Sequence, residues 1–299
     1  MSLRSPTGDR GPRRTITAME RASDWLEVGD RIFTRRYAFA DQQIGVVLGR
    51  GEVLVIDTRS TPGQARELMD DIRRLTRDPV GIVIDTHWHS DHVFGNHEFR
   101  PATIWGHALC VAGILEKGEA QRTAISAALP ELADDLGAVV LDPPDRTFAD
   151  VASVEVGGRV VELRYLGRGH TDADIIVLVP DAGVLFAGDL LENDATPWFG
   201  DGYPMDWPDT VGRMLPFVAG PVVPGHGSVG DRAFVDRQLD ELRQVAAVAT
   251  RLHAGSLDRD AALDAMPYPR DLAVQPLDRA MVQLRGELEG PVRAPDPAG

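Results

Sequence analysis

Val80-Gly81-Ile82-Val83-Ile84-Asp85-Thr86-His87-Trp88-His89-Ser90-Asp91-His92 runs from a short β-branched apolar segment straight into three imidazoles and a carboxylate. A continuous apolar run of this length reads as a strand buried on both faces, which puts the histidines at its carboxyl end. Residues two apart in an extended segment project to the same side, so His87 and His89 can reach one cation together. Asp91 and His92 are adjacent and share a target only where the backbone turns. A helix starting near Asp91 would carry both toward a second position a few ångströms away, which predicts a two-metal site. Nitrogen and oxygen donors without a thiolate suit zinc first, then iron or manganese.

Working outward, Arg31–Tyr37, Gly45–Leu48 and Glu52–Ile56 read as short strands joined by turns, the last ending in Asp57. Thr61-Pro62 opens a helix reaching Arg77, with Ala65, Leu68, Met69, Ile72 and Leu75 at helical spacing. Beyond the histidines, a strand is expected near Ala102–Trp105 and two helices at His107–Glu116 and Glu119–Leu129. A run of short strands follows from Val151 to Phe186, and a long helix from Asp231 to about Leu252. The expected organisation is a tail over 1–22, a main domain over 23–253, and a helical appendage with a flexible end over 254–299.

Composition narrows the class. A chain of 299 residues, 43% hydrophobic, can bury a large core. Its net charge of −15 and pI near 4.9 disfavour a nucleic-acid partner. Cys110 is the single cysteine, which excludes an internal disulfide and suggests a small buried residue. Arg13-Arg14 is not followed by the apolar segment of an export signal, and no stretch reaches the roughly 18 apolar residues that span a bilayer. A cytoplasmic protein without a membrane partner is expected; its oligomeric state is left open.

The second half supplies further donors at strand ends: Gly169-His170-Thr171, Gly188-Asp189 and Gly225-His226-Gly227. Glycine beside each allows close backbone approach. Together with Asp57 and the His87-x-His89-x-Asp91-His92 cluster, these motifs resemble the metallo-β-lactamase-fold hydrolases over roughly Ile32 to Gly230. The resemblance implies an α/β fold, an αββα sandwich of two mixed sheets flanked by helices. It also implies a small-molecule substrate and two divalent ions. His87, His89 and His170 would hold one, and Asp91, His92 and His226 the other. Asp189 would bridge them at about 3.5–4 Å, with Asp57 orienting a ligand through hydrogen bonds.

An aspartate at the bridging position resembles the thioesterases, lactonases, phosphodiesterases and other broad hydrolases more than several of the zinc β-lactamases. His89 in place of glutamate argues against the flavodiiron branch, and a single lysine, Lys117, against a glutathione thioesterase. The expected reaction is attack by a metal-bridging hydroxide on an ester, thioester, lactone or lactam carbonyl, with Asp91 orienting the hydroxide and passing a proton to the leaving group. The alternatives are a β-lactamase or a mononuclear iron oxygenase resembling the persulfide dioxygenases. No Gly-x-Ser-x-Gly elbow supports a serine hydrolase. His97, His107 and His253 are read as structural, and Trp88 as a packing residue. Trp198, Phe199 and Tyr203, in the aromatic loop after Asp189, are expected to wall the substrate pocket.

Overall fold

Buried β-branched runs make the strands, and the connections between them decide which surfaces meet. The computed structural model describes residues 24–288, so both expected tails, 1–22 and the stretch from Pro291 to Gly299, lie outside the described residues. Strands β1 (Leu26–Gly29), β2 (Ile32–Tyr37), β3 (Gln42–Leu48) and β4 (Val53–Ile56) form an antiparallel meander. Helix α1 (Pro62–Leu75) starts where the Thr61 side chain accepts from the Gln64 amide, with Pro62 in the first turn. It crosses to β5 (Val80–Ile84), which lies parallel to β4 and is followed in parallel by β6 (Thr103–His107) and β7 (Arg146–Phe148).

In the second half, β8 (Val151–Val156), β9 (Arg159–Tyr165), β10 (Ile175–Val179) and β11 (Val184–Glu192) are antiparallel neighbours, and β12 (Val222–His226) lies parallel to β11. The two half-sheets are joined by one residue pair, Gln42 of β3 opposite His226 of β12. They fold face to face over a shared core. Ile32, Leu54 and Ile84 come from one side, and Leu163, Val177 and Phe186 from the other. Gly45 makes room for the Phe186 ring, since a Cβ there would lie 2.5 Å from a ring carbon.

Helices cover the outer faces, completing the αββα sandwich. On the first half, α1 packs Leu68 and Ile72 against Val46, Val55 and Ile104. On the second, α5 (Trp207–Met214), α6 (Arg232–His253), α7 (Arg259–Asp264) and α8 (Arg270–Leu284) share one core with β11. Ala262, Leu263, Leu277 and Ala280, beyond residue 254, belong to that core.

One expectation is corrected: α3 (Ala108–Ala128) is a single helix of 21 residues rather than two. Gly118, which lies between the two expected spans, faces Leu141, where a Cβ would come within 2.8 Å of Cδ2. Tertiary packing selects glycine there, and the helix runs through it. Among the described residues no helix is long and apolar enough to cross a membrane.

Phe186→Ala removes a ring that both half-sheets enclose. It is expected to cost about 3–5 kcal/mol of unfolding free energy in a urea titration, and a cost below ~1 kcal/mol would show that the halves are not held together there.

Candidate metal centre

The end of β5 delivers His87 and His89, and α2 (Ser90–Val93) then turns the chain so that Asp91 and His92 point back toward them. His170 lies in the loop after β9, and His226 is the last residue of β12. Asp189 follows Gly188, whose φ of 51° interrupts the regular β11 ladder. A side chain at residue 188 would run into Thr86, so glycine is what lets β11 close on the histidine-bearing loop.

The structure brings the seven sequence-predicted donors together in two groups, His87, His89, His170 and Asp189, and Asp91, His92 and His226. Asp189 faces both. Its Oδ2 lies 3.7 Å from His87 Nε2, 3.3 Å from His170 Nε2 and 3.1 Å from His226 Nε2. Its Oδ1 lies 3.3 Å from His92 Nε2.

Each imidazole spends its outer N–H on a neighbour, which leaves the inner nitrogen for the centre. His92 Nδ1 donates to Asp57 Oδ2 at 2.8 Å, His226 Nδ1 to the Ala40 carbonyl at 2.7 Å and His170 Nδ1 to the Trp198 carbonyl at 3.1 Å. The Thr86 hydroxyl gives its one proton to Asp57 and so accepts from His87 Nδ1, 3.1 Å away. His89 is reversed: Nε2 donates to Asp201 Oδ1 at 3.1 Å and Nδ1 faces inward. Asp57 thus holds His92 directly and His87 through Thr86, and it also accepts from the Thr86 amide.

Burial lowers His87 well below the usual imidazole value and His170 to about 4, so both are neutral, as ligands must be. Their lone pairs meet that of His89 at short range, Nδ1 of His89 standing 2.8 Å from His170 Nε2 and 3.1 Å from His87 Nε2. A cation between the three nitrogens would satisfy them at once. In the second group, burial disfavours a charged imidazole. The Asp189 carboxylate nevertheless raises His92 and His226, the latter to about 10, so a proton competes with a cation for each inner nitrogen. Asp189 Oδ1 is buried without a hydrogen-bond partner. The donor set and this orphaned oxygen fit divalent cations.

Two contributors escaped the sequence reading, Asp201 and the Trp198 carbonyl, because the loop after Asp189 presented only its aromatic residues as a signal. That loop also corrects the expected pocket wall. Trp198 is 46% exposed, 5.3 Å from the His89 ring, and lines a cavity of about 510 Å³ together with Gln121, Ala124, Ile125 and Ala195. Phe199 is fully buried against Trp207 and Tyr268, and Tyr203 is buried beneath the Arg168 guanidinium. Neither lines the cavity. Neighbours in an extended segment point opposite ways, so Trp198 outward sends Phe199 inward.

The remaining residues take structural places. His107 stacks on Tyr165 and donates to the Ala149 carbonyl, His97 pairs with Asp142, and His253 ends α6. Trp88 is buried and donates to Asp172, and Cys110 is buried in the core.

The sequence pattern described as the metallo-beta-lactamase superfamily matches residues 39–226, more than half of the chain. The chain belongs to that superfamily. A relative, the metallo-beta-lactamase type 2 of Bacillus cereus, is 29% identical over 67% of this chain and 72% of its own length. The linear primary-alkylsulfatase of a Pseudomonas strain is 21% identical over 65% of this chain and 43% of its own length. A solved structure of a double mutant of the sec-alkyl sulfatase PisA1 shares the fold with a TM-score of 0.71 at 16% identity, covering 89% of this chain and 51% of that one. The chain is therefore a hydrolase of a family that works with divalent metals, typically zinc.

Opposite burial of two neighbouring rings makes a direct test. Phe199→Ala should lower unfolding stability by about 3–5 kcal/mol, whereas Trp198→Ala should change it by less than ~1 kcal/mol. Equal losses in denaturant melts would show that both rings serve the core.

Proposed function

We propose that the chain is a binuclear metal-dependent hydrolase of uncharged carboxylic esters, thioesters or lactones with an apolar acyl part. Asp189 carries the binuclear reading. One buried carboxylate reaches His87 and His170 through Oδ2 and His92 through Oδ1. A mononuclear iron oxygenase needs only the first group, and a second complete set of three donors weighs against it.

Held by His87, His89, His170 and Asp189 and by Asp91, His92 and His226, two divalent cations would supply an acidified water and a charge to polarise a scissile carbonyl. The chain's own residues do the rest. Asp91 lines the cavity with a partly exposed carboxylate whose Oδ2 is 3.4 Å from His226 Nε2. It is placed to take the proton of the attacking water and return it to the leaving group. The Gln42 side chain donates to the Asp91 backbone carbonyl and so fixes the first turn of α2 against β3.

The lining supports an uncharged substrate. Asp41, Asp91 and Glu192 border the cavity, and no Lys or Arg is among its lining residues. Lys117 lies over the Trp88 ring, and Arg36 is tied to Asp41 and Asp194. The carboxylate of a β-lactam or the head group of an alkyl sulfate would find no basic side chain here. This weighs against the activities for which the relatives are named. Ala40, Ala124, Ile125, Ala195 and Trp198 offer an apolar wall to an acyl chain or ring.

Metal analysis of the purified protein should give two divalent ions per chain, and Asp189→Ala should lower both occupancy and hydrolysis; a saturated stoichiometry of one sinks the binuclear reading. In a substrate panel, kcat/KM for an activated apolar ester or lactone should exceed that for a β-lactam or an alkyl sulfate by about tenfold or more. Trp198→Ala should raise KM for bulky apolar esters and leave small ones nearly unchanged. A lactam or sulfate preferred by roughly a hundredfold would overturn the substrate assignment.

A further inference from the structure

The loop from Asn193 to Asp206 does two things at once. It carries Trp198 into the cavity, and it supplies the outer hydrogen-bond partners of two imidazoles in the first donor group. These are the Trp198 carbonyl for His170 Nδ1 at 3.1 Å and the Asp201 carboxylate for His89 Nε2 at 3.1 Å. The loop has few regular backbone bonds of its own. Its near end is fixed where the Trp198 amide donates to the buried Glu192 carboxylate at 2.9 Å, and its far end where the Tyr203 amide donates to the Gly169 carbonyl at 2.7 Å. Between and just beyond these anchors, Arg168 pairs with Asp206, and the side chains that bond the loop backbone come from α8.

Gln275, Arg279 and Gln283 are spaced by four residues and form one stripe along α8. Each bonds the loop backbone. The Phe199 amide donates to Gln275 Oε1 at 3.1 Å. Arg279 donates through Nε to the Gly202 carbonyl at 2.7 Å and through Nη2 to the Asp201 carbonyl at 2.5 Å. The Met205 amide donates to Gln283 Oε1 at 2.8 Å, and Gln283 Nε2 donates to Asp206. The adjacent stripe, Ala273, Leu277 and Ala280, is apolar and buried in the core shared with α6. One face of α8 is therefore fixed to the body of the protein, while the next grips the loop at the residues flanking both imidazole partners.

We infer that α8 is a latch for the metal centre, positioning His89 and His170 through the loop by means of Gln275, Arg279 and Gln283. This rests on the metal-centre reading above. The five hydrogen bonds just described all go to the loop that serves the first group. Asp57, Thr86 and the Ala40 carbonyl, which orient His92, His87 and His226, lie on other elements. Loosening the latch therefore weakens one metal position and spares the other. Because the same loop bears Trp198, it also blurs the wall against which an acyl group packs.

The test is zinc binding to the metal-free full-length protein, read by competition with a chromophoric chelator that resolves two equivalents. Gln275→Leu and Arg279→Met should each weaken one equivalent by about tenfold and leave the other within about twofold. Gln275→Glu keeps an acceptor oxygen for the Phe199 amide and should restore wild-type affinity. Thermal melting of the metal-free variants reports folding separately. If Arg279→Met does not fold, the Gln275→Leu and Gln275→Glu pair, differing by one acceptor, decides alone. Unchanged affinity for both equivalents overturns the latch, as does equal weakening of both in step with a lower metal-free Tm, the mark of a helix that only covers the core. A wild-type chain that holds two zincs yet hydrolyses no ester removes the substrate assignment and leaves the latch intact, whereas one that holds no zinc removes the metal centre and the latch together.

Discussion

Five imidazoles turned inward on one buried carboxylate form an arrangement that a folded chain has to be built to tolerate. Burial keeps His87 and His170 neutral while Asp189 draws protons onto His92 and His226, and each inner nitrogen must be kept from simply rotating outward. The chain prevents rotation by anchoring the opposite side of every ring: Asp57 and Thr86 from the first half, the Ala40 carbonyl across the join, the Trp198 carbonyl and Asp201 from the loop. Much else about the fold follows. Strands must end together, Gly188 must let β11 approach Thr86, and Gly225 must pass close to Asp189, because any side chain in those places would occupy the space the donors share.

The donors themselves were legible in the sequence because their chemistry is local. A carboxylate and three imidazoles behind an apolar strand, and glycine-flanked His and Asp at later strand ends, need no tertiary knowledge to attract notice. The sandwich was implied by the family that these motifs resemble, and buried β-branched runs separated by helices agree with it. What could not be read are relations between a backbone and a distant side chain. The Trp198 carbonyl has no residue-type signature, and Asp201 sits among turn residues where an aspartate is unremarkable. Trp198 and Phe199 are adjacent and chemically alike, yet one faces solvent and the other the core. Composition treats them as a pair, and only the direction of the strand-like segment separates them. Gln275, Arg279 and Gln283 pose the same difficulty in helical form. From sequence they are the polar face expected of any surface helix, and their partners lie 76 to 78 residues earlier in the chain.

The acidic lining of the cavity fits this logic. In a chain of net charge −15 a carboxylate near the site is unsurprising, and two basic side chains nearby are engaged, Arg36 with Asp41 and Asp194, Arg168 with Asp206. On the proposed reading, selectivity would come from what is withheld. An anion would meet no basic residue in the cavity lining, while an uncharged acyl group would gain apolar contact with Ile125 and Trp198.

The single residue pair that joins the half-sheets, Gln42 opposite His226, has a thermodynamic meaning beyond geometry. His87, His89, Asp91 and His92 come from one side of that seam, and His170, Asp189 and His226 from the other. On the proposed metal-centre reading, cations held by these residues would act as cross-links between the two halves, so that binding free energy becomes cohesion. By linkage, a ligand at a thousand times its dissociation constant adds about 4 kcal/mol to the folded state. The lifetime of the protein against proteolysis would then follow metal supply.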